Sequence, residues 1–396
     1  MKYKIIQILN HSLTPYKINV DPKYYEDDWH VKVAKEINKI TDNFHIECWR
    51  PEYTFDKTFI RKGKEGIIFR IFPSIYFNKR IEFSLKIIRE IKREINEKKK
   101  ILLHLHGIYN FQSYLINYKY GKKIPIVCQS HGGSPSIINF KRSNHVFRYL
   151  YLIIDKFENY IFSKPDFVFC LTDGEKRFFS NILKKDSYMI QPMGIDFKKF
   201  KPINKSEAKI LLNLKKDSKY LLYVGRINKK KGLNYLIFAF HELLNFFSDI
   251  FLIFIGDGPY KKELKILTKK FSIENKVKWI GNVKNEELPV WYNAADVVVY
   301  PSLSEGFPVV PIEAFACKTP VIGTRVGQMS KIFNTFNDGI IIPTKNVKAI
   351  KNSILEIFNS KNDPKINRNL GKQNFSWNHI IKNTLKIYKF LFKKYY

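Results

Sequence analysis

Residues 300–314 read Tyr-Pro-Ser-Leu-Ser-Glu-Gly-Phe-Pro-Val-Val-Pro-Ile-Glu-Ala, and they join an apolar run to a helical pattern. The apolar run, Val297–Tyr300, predicts a buried parallel strand. Pro311 suits the first position of the helix, because a proline lacks the backbone N–H that would find no partner there. The free amides around Val309 and Val310 then form the positive end of the helix. The stretch therefore predicts a strand–loop–helix unit with an anion site at its turn.

Two carboxylates flank this predicted anion site. Glu305 lies in the loop before the helix, and Glu313 lies in the first turn. Each could accept hydrogen bonds from hydroxyl groups on either side of a bound phosphate. Taken alone, Glu313 could merely complement the helix dipole, and Glu305 could be an acid on a surface loop. A role in ligand binding for the two glutamates therefore depends on further motifs in the rest of the chain.

Outward from this stretch, strands alternate with helices, which predicts parallel sheets with helical crossovers. The first series of predicted strands is Ile5–Leu9, Ile67–Phe72, Ile101–Leu105, Ile124–Cys128 and Phe167–Leu171. The second series is Tyr220–Val224, Phe251–Ile255, Val277–Ile280, Val297–Tyr300, Val321–Gly323 and Ile340–Ile342. One helical pattern predicts a stripe that packs on a sheet, made of Ile81, Leu85, Ile88, Ile91 and Ile95.

The alternation predicts an α/β protein of two Rossmann-like domains, each with a doubly wound parallel sheet. The basic, proline-containing segment 197–205 divides the two series. We therefore expect an N-terminal domain over 1–200 and a C-terminal domain over 201–375. Residues 376–396 form a last helix that could pack on either domain, including back on the N-terminal one. Ligands of such sheets bind at the carboxyl ends of strands, so we expect a substrate cleft between the domains.

Two further glycine-containing loops follow strands of the second series. Residues 225–232 read Gly-Arg-Ile-Asn-Lys-Lys-Lys-Gly, and a sharp turn here can bring Arg226 and Lys231 onto a diphosphate. Residues 256–259, Gly-Asp-Gly-Pro, would allow the backbone to approach a ligand closely. Each loop taken alone could equally be an ordinary turn, the first of them basic and solvated.

The chain is strongly basic. Its 396 residues include 69 Lys and Arg against 36 Asp and Glu, which gives a formal net charge of +33. Such an excess attracts polyanions, namely nucleic acid, anionic lipid or phosphorylated substrates. AT-rich codons, which favour Lys, Ile and Asn, would also produce this charge. No acidic residue lies between Glu97 and Asp155, a stretch that contains nine Lys and Arg.

Composition also excludes several classes of protein. The four cysteines, Cys48, Cys128, Cys170 and Cys317, form no CxxC pair, which argues against a disulfide framework or a thiolate zinc site. The first apolar run, Ile5–Leu9, is too short for a signal-peptide core. No apolar run approaches the ~18 residues of a membrane span. We therefore expect a cytoplasmic protein, either soluble or at the inner face of the cytoplasmic membrane.

Together, the three loops resemble the donor-binding half of the family 4 glycosyltransferases, retaining enzymes with the GT-B fold. The resemblance rests on Glu305 and Glu313, separated by seven residues, and on the 225–232 and 256–259 loops. It implies that Arg226 and Lys231 bind the diphosphate of a nucleotide sugar. It further implies that Glu313 binds the ribose and Glu305 the donor sugar. Other donor-site residues implied by the resemblance are Gly225, Gly258, Val283, Gly306, Phe307, Val309 and Val310.

The first half of the chain resembles this family more loosely. His131, in the Ser-His-Gly-Gly run 130–133, matches a histidine that faces the donor sugar, so the implied catalytic residues are His131, Glu305 and Glu313. His104 and His106 share a strand face, and we interpret His104 as a core histidine.

Three positions depart from the pattern of the family. Segment 10–17 lacks the usual paired glycines, Met193 stands where asparagine is more usual, and Gly327-Gln328 replaces a Gly-Gly pair followed by glutamate. The acceptor side is therefore unusual, with His11, Lys141 and Arg142 as candidate acceptor-binding residues.

The resemblance implies a hexosyltransferase that moves a sugar from a UDP or GDP sugar to an acceptor hydroxyl with retention of configuration. No Asp-x-Asp motif is present, so we expect neither a metal nor another cofactor. The acceptor is predicted to be a glycan or lipid-linked molecule of cell-envelope polysaccharide or glycolipid synthesis. The basic stretch 98–148 could rest on an anionic membrane, together with Tyr109, Phe111, Tyr114, Phe140, Phe147 and Tyr149.

Two alternatives remain open. The charge is also compatible with a non-catalytic protein that binds nucleic acid or another polyanion on a Rossmann scaffold, although no motif for specific nucleic-acid binding is present. A storage-polysaccharide or disaccharide synthase would share the same fold.

Overall fold

A computed structural model describes residues 3–10, 29–78, 81–132, 148–360 and 364–396. The chain divides into two compact units, Met1–Gln191 with Ile380–Tyr396, and Pro192–His379. The division therefore falls at 191/192 rather than at 200/201. The segment after Pro192 belongs to the second unit because Ile195 N donates to the Phe375 carbonyl (2.8 Å).

The first unit is built on an eight-stranded sheet. Its strands are β1 (Tyr3–Leu9), β2 (Phe44–Glu52), β3 (Phe59–Lys62), β4 (Ile68–Pro73), β7 (Ile101–His106), β8 (Ile126–Gln129), β9 (Phe167–Cys170) and β10 (Tyr188–Ile190). Two short strands, β5 (Ile75–Tyr76) and β6 (Glu82–Phe83), form a separate antiparallel pair. The helices are α1 (Trp29–Asn38), α2 (Leu85–Asn96), α3 (Phe111–Tyr120), α4 (Arg148–Phe162) and α5 (Asp173–Ser180). The sheet order is β10-β9-β8-β7-β1-β2-β4-β3, and its strands are parallel except for β3.

The second unit is built on a six-stranded, all-parallel sheet of order β13-β12-β11-β14-β15-β16. Its strands are β11 (Lys219–Val224), β12 (Ile250–Ile255), β13 (Val277–Gly281), β14 (Val297–Tyr300), β15 (Val321–Thr324) and β16 (Ile340–Ile342). Its helices are α6 (Lys205–Leu211), α7 (Leu233–Leu243), α8 (Lys261–Lys270), α9 (Leu288–Ala294), α10 (Val310–Ala316), α11 (Met329–Phe336), α12 (Val347–Asn359) and α13 (Arg368–Phe375). The last helix, α14 (Trp377–Tyr395), continues into the first unit. The predicted α/β fold with two parallel sheets is confirmed.

Both faces of the first sheet combine buried apolar residues with polar ones. One face carries the apolar side chains that the sequence predicted, among them Ile6 of β1 and Leu103 of β7, in a buried hydrophobic cluster. The opposite face places two polar residues in register, Gln7 of β1 and His104 of β7. His104 Nδ1 lies 2.5 Å from the Tyr388 hydroxyl of α14. The C-terminal helix therefore covers a buried polar layer in this unit.

The predicted stripe of α2 is confirmed in part, because Ile88 and Ile91 are buried and Ile95 packs against the same core. The helix begins only at Leu85, which is 51% exposed, and Ile81, which precedes the helix, is 43% exposed. The buried residues of α2 are Ile87, Ile88, Ile91 and Glu94. The buried glutamate is a member of the stripe that apolar periodicity alone could not show.

Glu94 belongs to a buried cluster of charges that also explains why β2 was missed. Lys4 of β1 contacts Glu94 (2.6 Å) and Glu47 of β2 (2.8 Å), and Arg70 of β4 contacts Glu47 (2.8 Å). Glu47 interrupts the apolar run of β2, so the strand has no apolar signature. Burial alone would raise the pKa of Glu47. Its hydrogen bonds and charge contacts with Lys4, Trp49 and Arg70 outweigh burial and lower the pKa to about 2.

This lowered pKa predicts an acid-sensitive contribution to stability. Because the folded pKa of about 2 lies below the ordinary value of 4.5, the contribution is present above about pH 4.5 and is lost toward pH 2. At one pKa unit per 1.36 kcal/mol it is at most about 3 kcal/mol. We expect the difference in unfolding free energy between the unmodified chain and Glu47→Gln to be largest at pH 6 and to shrink by pH 3. Urea unfolding across this range measures it, and a difference that does not change with pH would contradict the assignment.

Candidate active site

The strand order of the second sheet reverses at β11. From β11 the chain passes to β12 and β13 on one side, and then places β14, β15 and β16 on the other. At such a reversal the loops after two adjacent strands diverge and leave a crevice at their carboxyl ends. The β11 loop (225–232) and the β14 loop (301–309) border this crevice, and the β12 loop (256–259) lies beside the first of them.

The β12 loop packs directly on the backbone of the β11 loop. The Ile227 amide donates to the Asp257 carbonyl (2.9 Å). A Cβ on Gly256 would lie 2.1 Å from the Gly225 carbonyl oxygen, and a Cβ on Gly258 would lie 2.2 Å from that of Ile227. Both glycines also have positive φ, +119° and +159°. These glycines are therefore required by contact between two loops, and the close approach to a ligand stays a prediction.

The β14 loop is attached to the other end of the β11 loop. The Leu303 amide donates to the Lys230 carbonyl (2.8 Å), and the Ser302 hydroxyl donates to the same oxygen (3.2 Å). A Cβ on Gly232 would lie 2.2 Å from the Pro301 carbonyl oxygen. The three loops therefore form one connected structure.

This connection brings Lys231 and Glu305 together. Lys231 Nζ lies 2.5 Å from Glu305 Oε1 and donates to the Tyr300 hydroxyl (3.0 Å). Both charged side chains are largely buried, with 16% and 12% of their surfaces exposed. The predicted ligand of the diphosphate and the predicted ligand of the donor sugar thus lie side by side.

Glu313 lies in the first turn of α10, as the sequence predicted. Its Oε2 accepts a hydrogen bond from the Tyr292 hydroxyl of α9 (2.7 Å), and both side chains are buried. Burial and the neighbouring Glu313 raise the pKa of Tyr292, so its hydroxyl remains a donor. The helix begins at Val310, one residue before the predicted start, so Pro311 occupies its second position. At that position, too, proline removes no helical hydrogen bond, because the backbone amides of the first turn have no carbonyl partner within the helix.

A fourth loop, which follows β15, packs against the backbone of Glu305 and Gly306. Gly327 has a φ of +53°, and a Cβ there would lie 2.4 Å from the Gly306 carbonyl oxygen and 2.6 Å from that of Glu305. The Gln328 amide donates to the Gly306 carbonyl (3.1 Å). The Gly-Gln pair, a departure from the family pattern, is therefore a backbone support of the β14 loop.

The other predicted donor residues lie in these loops or at the start of α10, except Val283, which lies in the loop after β13. Arg226 is exposed, and its carbonyl accepts a hydrogen bond from the Tyr223 hydroxyl (3.0 Å). Phe307 lies 6.0 Å from Phe375, measured between ring centroids. The partly buried apolar residues that pack against the core of this unit include Val283, Phe307, Val309 and Val310.

In the first unit, His131 contacts a second histidine. His131 is exposed, and its Nε2 lies 2.9 Å from Nδ1 of the buried His106. The His106 ring stacks on His104 at a centroid distance of 4.2 Å. Burial and the neighbouring histidines lower the pKa of His106 well below its usual value, and burial and His131 lower that of His104 to about 3. His104 is thus a neutral core histidine, as interpreted from the sequence.

Ser130, the residue before His131, is held by a hydrogen bond to Glu175. The Ser130 hydroxyl donates to Glu175 (2.5 Å), and the Gly132 amide donates to the Ser130 hydroxyl (3.2 Å). Burial raises the pKa of Glu175, against the lowering effect of its hydrogen bonds from Ser130 and from backbone amides. The turn that presents His131 is therefore held by side-chain hydrogen bonds.

The candidate acceptor residues His11, Lys141 and Arg142 lie outside the described residues. Within the described ranges, no group of three or more His, Cys, Asp or Glu is placed to hold a metal ion. Among the helices of those ranges, none combines the length and apolar character that a bilayer crossing requires.

Sequence reasoning missed the three tyrosines that contact the site, Tyr223, Tyr292 and Tyr300. Tyr300 is the last residue of β14, and Tyr223 precedes Val224, the last residue of β11. The available signal was this position, since residues at the carboxyl end of a parallel strand border the ligand crevice.

The chain is similar to known glycosyltransferases. The family described as glycosyl transferases group 1 matches residues 204–377. Two curated relatives come from Methanocaldococcus jannaschii. Uncharacterized glycosyltransferase MJ1607 is 31% identical over 45% of this chain and 46% of its own length. Uncharacterized glycosyltransferase MJ1178 is 26% identical over 81% of this chain and 97% of its own. The first of these alignments thus spans about half of the relative.

A solved structure aligns over both units. It is that of Anabaena HepE in complex with UDP, with a TM-score of 0.70 and 16% identity over 98% of this chain and all of that one. At this identity the likeness shows the fold alone, which is GT-B. The second unit is therefore similar to the group 1 glycosyltransferases, and the chain as a whole has the GT-B fold.

Proposed function

We propose that the protein transfers a hexose from a nucleotide sugar to an acceptor hydroxyl, with retention of configuration. The observation that carries this proposal is the Lys231–Glu305 pair at the strand-order reversal. A cation and a carboxylate held side by side suit the two adjoining parts of a sugar diphosphate, because the phosphate needs a cation and the sugar hydroxyls need an acceptor. A donor that carries UDP or another nucleoside diphosphate fits this requirement.

In the proposed reaction the bond between the sugar and the diphosphate breaks, and negative charge develops on the leaving phosphate. Lys231 and the exposed Arg226 would stabilise that charge electrostatically, in the role that a metal ion takes elsewhere. Glu313 would hold the ribose, and Glu305 a sugar hydroxyl. The acceptor attacks the face that the phosphate leaves, and the phosphate can take the proton of the acceptor. His131 of the first unit is the proposed contact with the donor sugar.

The acceptor is proposed to be a glycan or lipid-linked molecule of the cell envelope, so we also propose contact with an anionic membrane. In the structure, Tyr109 and Tyr114 do not serve this purpose, because both rings pack on Phe162. Phe111 is exposed (37%), and further exposed apolar residues lie on α4, at helical spacing: Ile153, Phe157 and Tyr160 (66%, 49% and 49% exposed). Lys164 Nζ lies 3.8 Å from the centroid of the Tyr160 ring. An apolar stripe beside a lysine suits a negatively charged leaflet.

Removal of the site residues should abolish transfer. We expect Lys231→Ala and Glu313→Ala each to lower kcat/KM by about 100-fold or more, because each removes an electrostatic or hydrogen-bonding contact with the donor. Lys229→Ala is the matched control, since Lys229 lies in the same loop but contacts the exposed Glu263 (3.1 Å). We expect its activity to stay within about twofold. Circular dichroism checks that each variant folds, and near-normal transfer by both site variants would refute the assignment.

A donor panel should separate an enzyme from a binder of polyanions. We expect a thermal shift with one of the UDP, GDP or ADP sugars, because a ligand that binds only the folded state raises Tm. The alternative, a nucleic-acid-binding protein, predicts no response to nucleotide sugars and a DNA affinity that falls steeply with salt. Retention can be checked on the product by NMR of the anomeric proton.

Membrane contact should depend on α4. We expect the double variant Ile153→Ser/Phe157→Ser to bind vesicles containing phosphatidylglycerol about tenfold more weakly than the unmodified chain at low salt. Phe246→Ser is the control, because Phe246 is equally exposed (59%) but lies in the second unit. Equal flotation of all three proteins, or no flotation of the unmodified chain, would contradict this part of the proposal.

A further inference from the structure

Two buried tyrosines stand at the crevice of the second unit. Tyr223 precedes Val224, the last residue of β11, and Tyr300 is the last residue of β14. Their rings are stacked, with centroids 6.1 Å apart and an interplanar angle of 17°. Neither ring is exposed by more than 4%. The packing therefore fixes the position of each hydroxyl group.

The Tyr300 hydroxyl contacts the cation of the charged pair. It accepts a hydrogen bond from Lys231 Nζ (3.0 Å), which also lies 2.5 Å from Glu305 Oε1. Burial, together with the charge of Glu305, raises the pKa of Tyr300, so the phenol keeps its proton. The phenol oxygen can still accept a hydrogen bond from the ammonium. Lys231 is thus held by two groups, the Glu305 carboxylate and the Tyr300 hydroxyl.

The contacts with Glu305 and Tyr300 orient the ammonium group of Lys231. An ammonium has three N–H donors, and the described contacts with Glu305 and Tyr300 use two of them. The third can then be directed at a phosphate oxygen. Because Glu305 is the proposed ligand of the sugar, the phosphate nearest to Lys231 is the one that carries the sugar, which is the β-phosphate.

We propose that Tyr300 is a positioning residue for the donor, whose hydroxyl holds the Lys231 ammonium where it meets the β-phosphate. This inference rests on the proposed function. Lysine on its flexible stem loses rotamer freedom when it binds a phosphate. A fixed phenol places the ammonium before the donor arrives, so less of that freedom remains to be lost on binding.

Tyr300→Phe isolates the hydroxyl group. The variant keeps the stacked ring and leaves no large cavity, whereas it removes the hydrogen bond that the hydroxyl accepts from Lys231. Tyr220→Phe is the matched control. Tyr220 lies near the start of β11, is equally buried, and accepts a hydrogen bond from the Lys215 amide (2.9 Å) at the opposite end of the strand. Both variants lose a buried tyrosine hydroxyl, but only one of them loses a contact with Lys231.

Calorimetric titration of the full chain with UDP, GDP and ADP, and with the corresponding monophosphates, tests the inference. We expect Tyr300→Phe to raise the Kd of the bound diphosphate by about tenfold and that of the monophosphate by less than about twofold, because a monophosphate lacks the group that Lys231 meets. Tyr220→Phe should change neither Kd by more than about twofold. A merely structural role of Tyr300 would weaken both ligands alike, and that result would overturn the inference.

A double-mutant cycle tests the route through Lys231. In a Lys231→Met background, Tyr300→Phe should raise the diphosphate Kd by less than about twofold further, because the positioned group is already gone. An undiminished tenfold loss in that background would overturn the inference. If the unmodified chain binds none of the three diphosphates, the proposed function fails as well. If it binds one and Tyr300→Phe binds it equally well, only the role of Tyr300 fails.

Discussion

The contact of Lys231 with Glu305 and Tyr300 is the interaction on which the crevice depends. It links the loops after β11 and β14, the two adjacent strands between which the strand order reverses. Two opposite charges that are both largely buried are stable only as a pair with further hydrogen bonds, and the phenol accepts one from Lys231. The same three groups hold the loops together and present a cation and a carboxylate at one point. The contacts among these three groups therefore both stabilise the loops and form the proposed ligand site.

Glycine makes this arrangement possible by allowing backbone segments to touch. Gly232 lets the β11 loop pass the carbonyl of Pro301, Gly256 and Gly258 admit the β12 loop, and Gly327 lies against the β14 loop. In each case a Cβ would fall less than 2.5 Å from a carbonyl oxygen. The glycine-rich motifs of this half thus serve contact between loops in the first place, and the ligand site results from the loops they bring together.

The first unit uses polar groups in a different way. Charged residues from distant parts of the chain, among them Lys4, Glu47 and Glu94, neutralise one another in its interior. On the other face of the sheet, His104 stacks on His106, and His106 contacts His131. The burial of so many polar groups is the reason why this half was harder to predict from its sequence than the second. Its strand β2 lacks a continuous apolar run, and the buried face of α2 includes a glutamate.

The sequence by itself determined the alternation of strands and helices, the three loops of the second unit and the two glutamates, because apolar runs, glycines and prolines act over a few neighbouring residues. The tertiary structure decided which polar residues are buried, as in β2, and which residues surround the charged pair, as with Tyr300. Burial of a charge or a hydroxyl depends on partners that the fold brings from elsewhere: Lys231 and Glu305 are 74 residues apart, and Lys4 and Glu94 are 90 apart. No local pattern encodes such a pairing, because its energy exists only once both segments are in place.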